Sequence, residues 1–291
     1  MKLVFLLGGL KVRSLVTTLA IIVCVVFLVL GNFYWKEKTD IASFAKNENV
    51  GNAVTEDQKQ SEEKNEDEDD NSDVDASEGE VDVAKAENWP DDARNALVTA
   101  AEAGEEYVLA IVGSQSLGGD EGWASMLEEA LEEEYAGIID VQVFQYDGAT
   151  SQEFVESEYM EEVVAATPDL VLLEPFPLND NSGWISVEMT QANIGTFVDA
   201  LNEARAEDAQ EAVVILQPAH PIYNATGYPR QIDQLQEYAE SEGFEYLNHW
   251  SDWPDHSSEE ILDYLEEGQS APSEAGHKIW FEFLLKYFAK K

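Results

Sequence analysis

Tyr107-Val-Leu-Ala-Ile-Val-Gly113 runs straight into Ser114-Gln-Ser-Leu-Gly-Gly119, and the reading of this junction decides the fold. An unbroken apolar run of this length, closed by glycine, is the pattern of a strand buried on both faces. Downstream, Trp123, Met126, Leu127, Ala130 and Leu131 recur at helical spacing between Gly122 and Tyr135, with acids on the opposite face. The alternation then continues. Strands are expected at Ile138–Phe144, Leu170–Leu173, Val213–Leu216 and Phe244–Leu247, and helices at Phe154–Val164, Ile194–Ala206, Ile232–Ala239 and Glu274–Phe288. Five β–α units of this kind predict an α/β fold, a five-stranded parallel sheet between two helical layers.

Upstream of residue 89 the chain changes character twice. Residues 1–36 hold an uncharged apolar run from Leu15 to Leu30, followed by Phe33, Tyr34 and Trp35. About 20 such residues span a bilayer core. Lys2, Lys11 and Arg13 precede the run, so the N-terminus is expected inside and the rest of a single-pass cell-membrane protein outside. The alternative is a cleaved secretory signal, against which stands the lack of an A-x-A-like site after the run. Residues 37–88 carry fourteen acids between Glu56 and Asp82 against two lysines, with no apolar periodicity. Such a segment is read as a disordered acidic linker, because it has too little apolar surface to offset ordering entropy. The folded domain is assigned to residues 89–291.

Charge excludes whole classes of partner. The 291 residues carry 16 basic and 60 acidic side chains, a net charge of −44, so no nucleic acid is expected to bind directly. The acidity continues into the domain, where Asp91 to Lys291 holds 42 acids and 7 bases. An acidic shell of this kind keeps a protein soluble, and salt screens its self-repulsion. The single Cys24 rules out a disulfide framework, and no H-x-x-x-H or H-E-x-x-H spacing suggests a metal, so no cofactor is expected.

In an open parallel sheet, functional groups collect in the loops after the strands. The loop after the first strand offers Ser114 and Ser116 at a tight strand-to-helix turn, where a hydroxyl and backbone N–H groups can face a developing oxyanion. The second leads into Asp147-Gly-Ala-Thr150, where Gly148 permits close backbone approach, with Ser151 as a candidate helix cap. The third opens on Glu174 and reaches Leu178-Asn-Asp180, where Asn179 can donate from its carboxamide. Glu174 and Asp180 also form a candidate carboxylate pair of the glycosidase kind.

In the order and spacing of these blocks the sequence resembles the SGNH/GDSL hydrolase superfamily of esterases and acyl hydrolases. The resemblance covers about Val108 to Phe288 and implies a flavodoxin-like three-layer sandwich. It also implies a serine nucleophile, Ser114 rather than Ser116, with Gly148 and Asn179 as oxyanion donors. The expected substrate is a small-molecule or glycan ester, such as an O-acyl group on a cell-surface glycan. Two departures stand out. The family's Gly-Asp-Ser has become Gly113-Ser-Gln-Ser116. Its Asp-x-x-His block falls on Gly268 and Ala271 when Pro272 and Gly276 are held in register. A base must then come from elsewhere: His249 is favoured, after the fifth strand and near Asp252 and Asp255, over His220, His256 and His277. If none serves, the domain is an inactive surface module that binds glycan or an envelope protein.

Overall fold

The computed structural model describes residues 83–206 and 211–290. The expected anchor and most of the linker lie outside them; among the described residues no helix is long and apolar enough to cross a membrane. Helix α1 spans Asp91–Ala103, followed by β1 (Tyr107–Gly113), α2 (Trp123–Glu134), β2 (Ile139–Gln145), α3 (Ser151–Glu156) and α4 (Glu158–Ala165). Then come β3 (Leu170–Leu173), α5 (Pro177–Gly183), α6 (Val187–Ala204), β4 (Val213–Leu216), α7 (Tyr228–Glu242), β5 (Glu245–Tyr246) and α8 (Glu274–Phe288). All strand pairs are parallel, in the order β2-β1-β3-β4-β5. That is the flavodoxin-like order, with its switch point beside β1.

Each central strand divides its side chains between two helical layers, as the twofold pleat dictates. Leu109 and Ile111 of β1 join Leu170, Leu172 and Ile215 on one face, against Leu97, Leu127, Trp280 and Leu284 of α1, α2 and α8. Ala110 and Val112 join Val171, Leu173, Val214 and Leu216 on the other, against Phe154, Ile194, Phe197 and Leu235. Each Val, Leu, Ile or Phe among them, fully buried, contributes roughly 1.5–3 kcal/mol.

Several boundaries differ from the sequence reading. The described residues open in a 3₁₀ turn at Val83–Ala86, within the expected linker, where Ala86 is buried and Lys85 pairs with Glu134 at 2.8 Å. The helix expected at Phe154–Val164 is two helices. Ser157 breaks it in extended conformation and caps the second through Tyr159 N–H. The cap of α3 is Thr150, in a reciprocal capping box with Glu153, and not Ser151. A helix, α5, replaces the loop expected around Asn179; Pro177 starts it, and Phe176 and Trp184 flank it in the left-handed region.

Candidate active site

The carboxyl edge of the sheet brings together the loops after β1, β2 and β3. Beyond β1, Ser114 accepts from Ser116 N–H and starts a 3₁₀ turn over Gln115–Leu117. Beyond β2, Gly148 sits at φ +73°, a conformation that only glycine adopts without strain, and its N–H faces the turn after β1. Asn179 stands on the first turn of α5. Its neighbour Asp180 fixes that helix: the buried carboxylate accepts from Ser151 N–H at 2.7 Å, Ser151 Oγ at 2.6 Å and Thr190 Oγ1 at 2.5 Å. Asp180 is therefore fully engaged in holding three elements together, which is a structural role and not that of a glycosidase acid.

Gly148 N–H and Asn179 Nδ2 converge on one point, and the atom found there is Gln115 Oε1, 3.1 Å from each. Gln115 Nε2 returns a bond to Asn179 Oδ1 at 3.0 Å, while Asn179 Nδ2 also reaches the Ala149 carbonyl at 2.8 Å. Counted from Gly113, Gln115 holds the place of the serine in the Gly-Asp-Ser pattern. The two serines flank it, both fully buried.

Behind this cradle runs a second set of bonds. Ser114 Oγ donates to Ser116 Oγ at 3.1 Å, and Ser116 Oγ lies 3.1 Å from His220 Nδ1. His220 Nε2 lies 3.2 Å from the Gln269 carbonyl, which can only accept, so Nε2 carries the proton and Nδ1 accepts from Ser116. Burial pushes His220 down to about 4, so the imidazole is neutral at pH 7. The imidazole that touches a serine is thus His220, from the loop after β4, and not His249. His249 stacks on Trp280 with ring centroids 3.8 Å apart and donates from Nε2 to the Pro218 carbonyl. That is a core position, and burial holds it at about 3. His277 accepts the Trp123 N–H at the start of α2 and packs against Gly118, where any Cβ would collide with the ring.

The block that lacks the family's Asp and His still meets this site, through the backbone of Gln269. That residue sits at φ +58° and also takes Tyr223 N–H on its side chain at 2.8 Å. Sequence spacing gives no hint of this, because the imidazole and its carbonyl partner are 49 residues apart. Glu174, at the end of β3, forms the floor. Its Oε2 accepts from Ser114 N–H at 2.7 Å, and burial raises its carboxyl to about 7. Among the described residues no three His, Cys, Asp or Glu side chains cluster as a metal ion would need.

Against known proteins, a model described as the GDSL-like lipase/acylhydrolase family matches residues 101–279. No curated protein matches. Of solved structures, one described as a lipolytic protein of the G-D-S-L family from Desulfitobacterium hafniense is 17% identical, with a TM-score of 0.50. The alignment covers 62% of this chain and 99% of that one. A psychrotrophic esterase from Pseudoalteromonas is also 17% identical, with a TM-score of 0.49 over 62% of this chain and 96% of its own. At 17% identity the likeness to the Desulfitobacterium structure speaks for the fold alone.

Proposed function

The chain belongs to the GDSL-like lipase/acylhydrolase family, and from that premise we propose that it is an ester hydrolase whose acyl group passes through Ser116. The supporting observation is the 3.1 Å contact between Ser116 Oγ and His220 Nδ1. His220 Nδ1 takes the serine proton as Oγ attacks the acyl carbon, and the Gln269 carbonyl steadies the imidazolium through Nε2–H. The oxyanion rests on Gly148 N–H and Asn179 Nδ2. His220 then returns the proton to the leaving alcohol, and water releases the acyl group by the same steps in reverse. Ser114 supports this arrangement by donating to Ser116 Oγ.

Two features set the pace. Ser116 is buried and Gln115 fills the cradle, so turnover follows an opening that withdraws Gln115 and admits the ester to Ser116 where it meets His220. A base held near 4 is also weak at neutral pH, so turnover is slow. In this reading residues 1–36 anchor the protein in the cell membrane, and the acidic segment that follows links them to the domain outside. The substrate is a neutral ester, such as an O-acyl group on cell-surface glycan, since the net charge of −44 repels anions.

Full-length protein in high salt is expected to release p-nitrophenol from short acyl esters, with Ser116→Ala slower by about 10²-fold or more. A fluorophosphonate should modify Ser116. Equal rates for wild type and Ser116→Ala would end the proposal. A second reading, a module that holds glycan or an envelope protein without cleaving it, draws on Gln115 at the serine's place and on Gly268 and Ala271. It requires that neither serine reacts with the probe.

A further inference from the structure

Gln115 occupies the cradle through a pairing with a definite chemical sense. One carbonyl oxygen takes two N–H donors, from Gly148 and Asn179, and the adjoining N–H₂ donates to Asn179 Oδ1. Neither amide can be turned round without loss. Asn179 Nδ2 is fixed by the Ala149 carbonyl, and Gly148 N–H demands an oxygen opposite it. The rim therefore displays two donors and one acceptor, the complement of the edge of a primary carboxamide. Gly148 is exposed and Gln115 and Asn179 are half-buried, so solvent reaches this edge from above.

We infer that the cradle is a carboxamide-binding site whose resident ligand is the chain's own Gln115, and that outside ligands of the same class bind by exchanging with it. The class consists of primary carboxamides, as in a free amide or an Asn or Gln side chain of a partner. An ester offers the oxygen but leaves Asn179 Oδ1 without a donor. A carboxylate sets a second negative oxygen against Oδ1, in a protein that is already strongly acidic. The resident glutamine has the advantage of tethering, which gives it a high effective concentration, so a free amide competes poorly in the wild type. The inference concerns binding and stands whether or not an ester is turned over.

The test titrates full-length wild type and Gln115→Ala with propionamide and with propionate, following the Gly148 backbone amide by NMR on glycine-labelled protein. The expected result is a saturable Gly148 shift with propionamide in Gln115→Ala, with propionate at least tenfold weaker and wild type at least tenfold weaker toward propionamide. If Gln115→Ala loses its fold by circular dichroism, Gln115→Ser takes its place in the same titration. A Gly148 signal that propionamide leaves unmoved in the folded variant, or that propionate moves equally, overturns the inference. Loss of esterase activity alone does not bear on it.

Discussion

The two sides of the cleft are built in different ways. On the cradle side, Gly148 comes from the loop after β2 and Asn179 from the first turn of α5, and short, buried bonds to Asp180 together with the Thr150–Glu153 box hold them. On the base side, the expected Asp and His are Gly268 and Ala271. Among the described residues, the imidazole that bonds a serine hydroxyl arrives from another loop and leans on a backbone carbonyl. The Gly148 amide depends on backbone path, which the fold preserves, and the Asn179 carboxamide is presented by a braced helix. A base depends on the identity of one side chain, which a single substitution removes.

The comparison is sharpened most by removing one group from each side. His220→Ala is expected to lower kcat for acyl esters by about 10²–10⁴-fold, the usual range for a general base. Asn179→Ala is expected to lower it by about 10²–10³-fold, as for an oxyanion donor. The pH profiles separate them. Wild-type activity should hold from pH 8 down to about 5 and fall as His220 protonates near 4. Asn179→Ala keeps that shape at a lower rate, and His220→Ala loses the fall. If His220→Ala retained both rate and acid limb, the base side would lie elsewhere.

Stability provides the next contrast. Asp180→Ala removes the acceptor shared by Ser151 and Thr190, leaving buried donors unpaired at the joint of α3, α5 and α6. A loss of about 2–4 kcal/mol is expected in denaturant unfolding. Ser273→Ala, which removes the cap of α8 on the base side, should cost only about 1 kcal/mol. Equal losses would mean that the cradle is no better braced than its opposite wall.

The same division explains what was legible in the sequence. The apolar runs of β1, β3 and β4 declare themselves because both faces of each strand are buried, and α8 has the limits that its caps and spacing predict. Order and spacing place Gly148 and Asn179 after β2 and β3, but they do not reveal α5, since its ends lie in left-handed aromatic residues, Phe176 and Trp184, that no propensity favours. The sequence favours His249 over His220, because only the meeting of loops 104 residues apart brings His220 to Ser116. Gln115 was passed over for the opposite reason: beside two hydroxyls, a carboxamide carries no nucleophilic signal, and its role shows only in the bonds it makes.

Glu174 lies beneath both sides, and its titration is the finest test of how they are joined. Burial raises its carboxyl from 4.5 to about 7, so the folded state holds a proton that the unfolded state releases. Its contribution to stability is complete below pH 4.5 and is lost as pH rises through about 7. His220, His249 and His277 act in the opposite sense. Burial lowers all three, so their contribution is present above 6.5 and is lost as pH falls toward 4. Glu174→Gln keeps an acceptor for Ser114 N–H and removes only the first of these dependences. The unfolding free energy of the variant is therefore expected to gain on wild type between pH 5 and 8, by on the order of 2 kcal/mol. Below pH 5 the two should decline together, as the imidazoles take up protons in the unfolded chain. A difference that stayed constant across this range would mean that Glu174 is already ionised in the fold. The floor under Ser114 would then be a charged carboxylate, able to stabilise a protonated His220 and to strengthen the base side of the cleft.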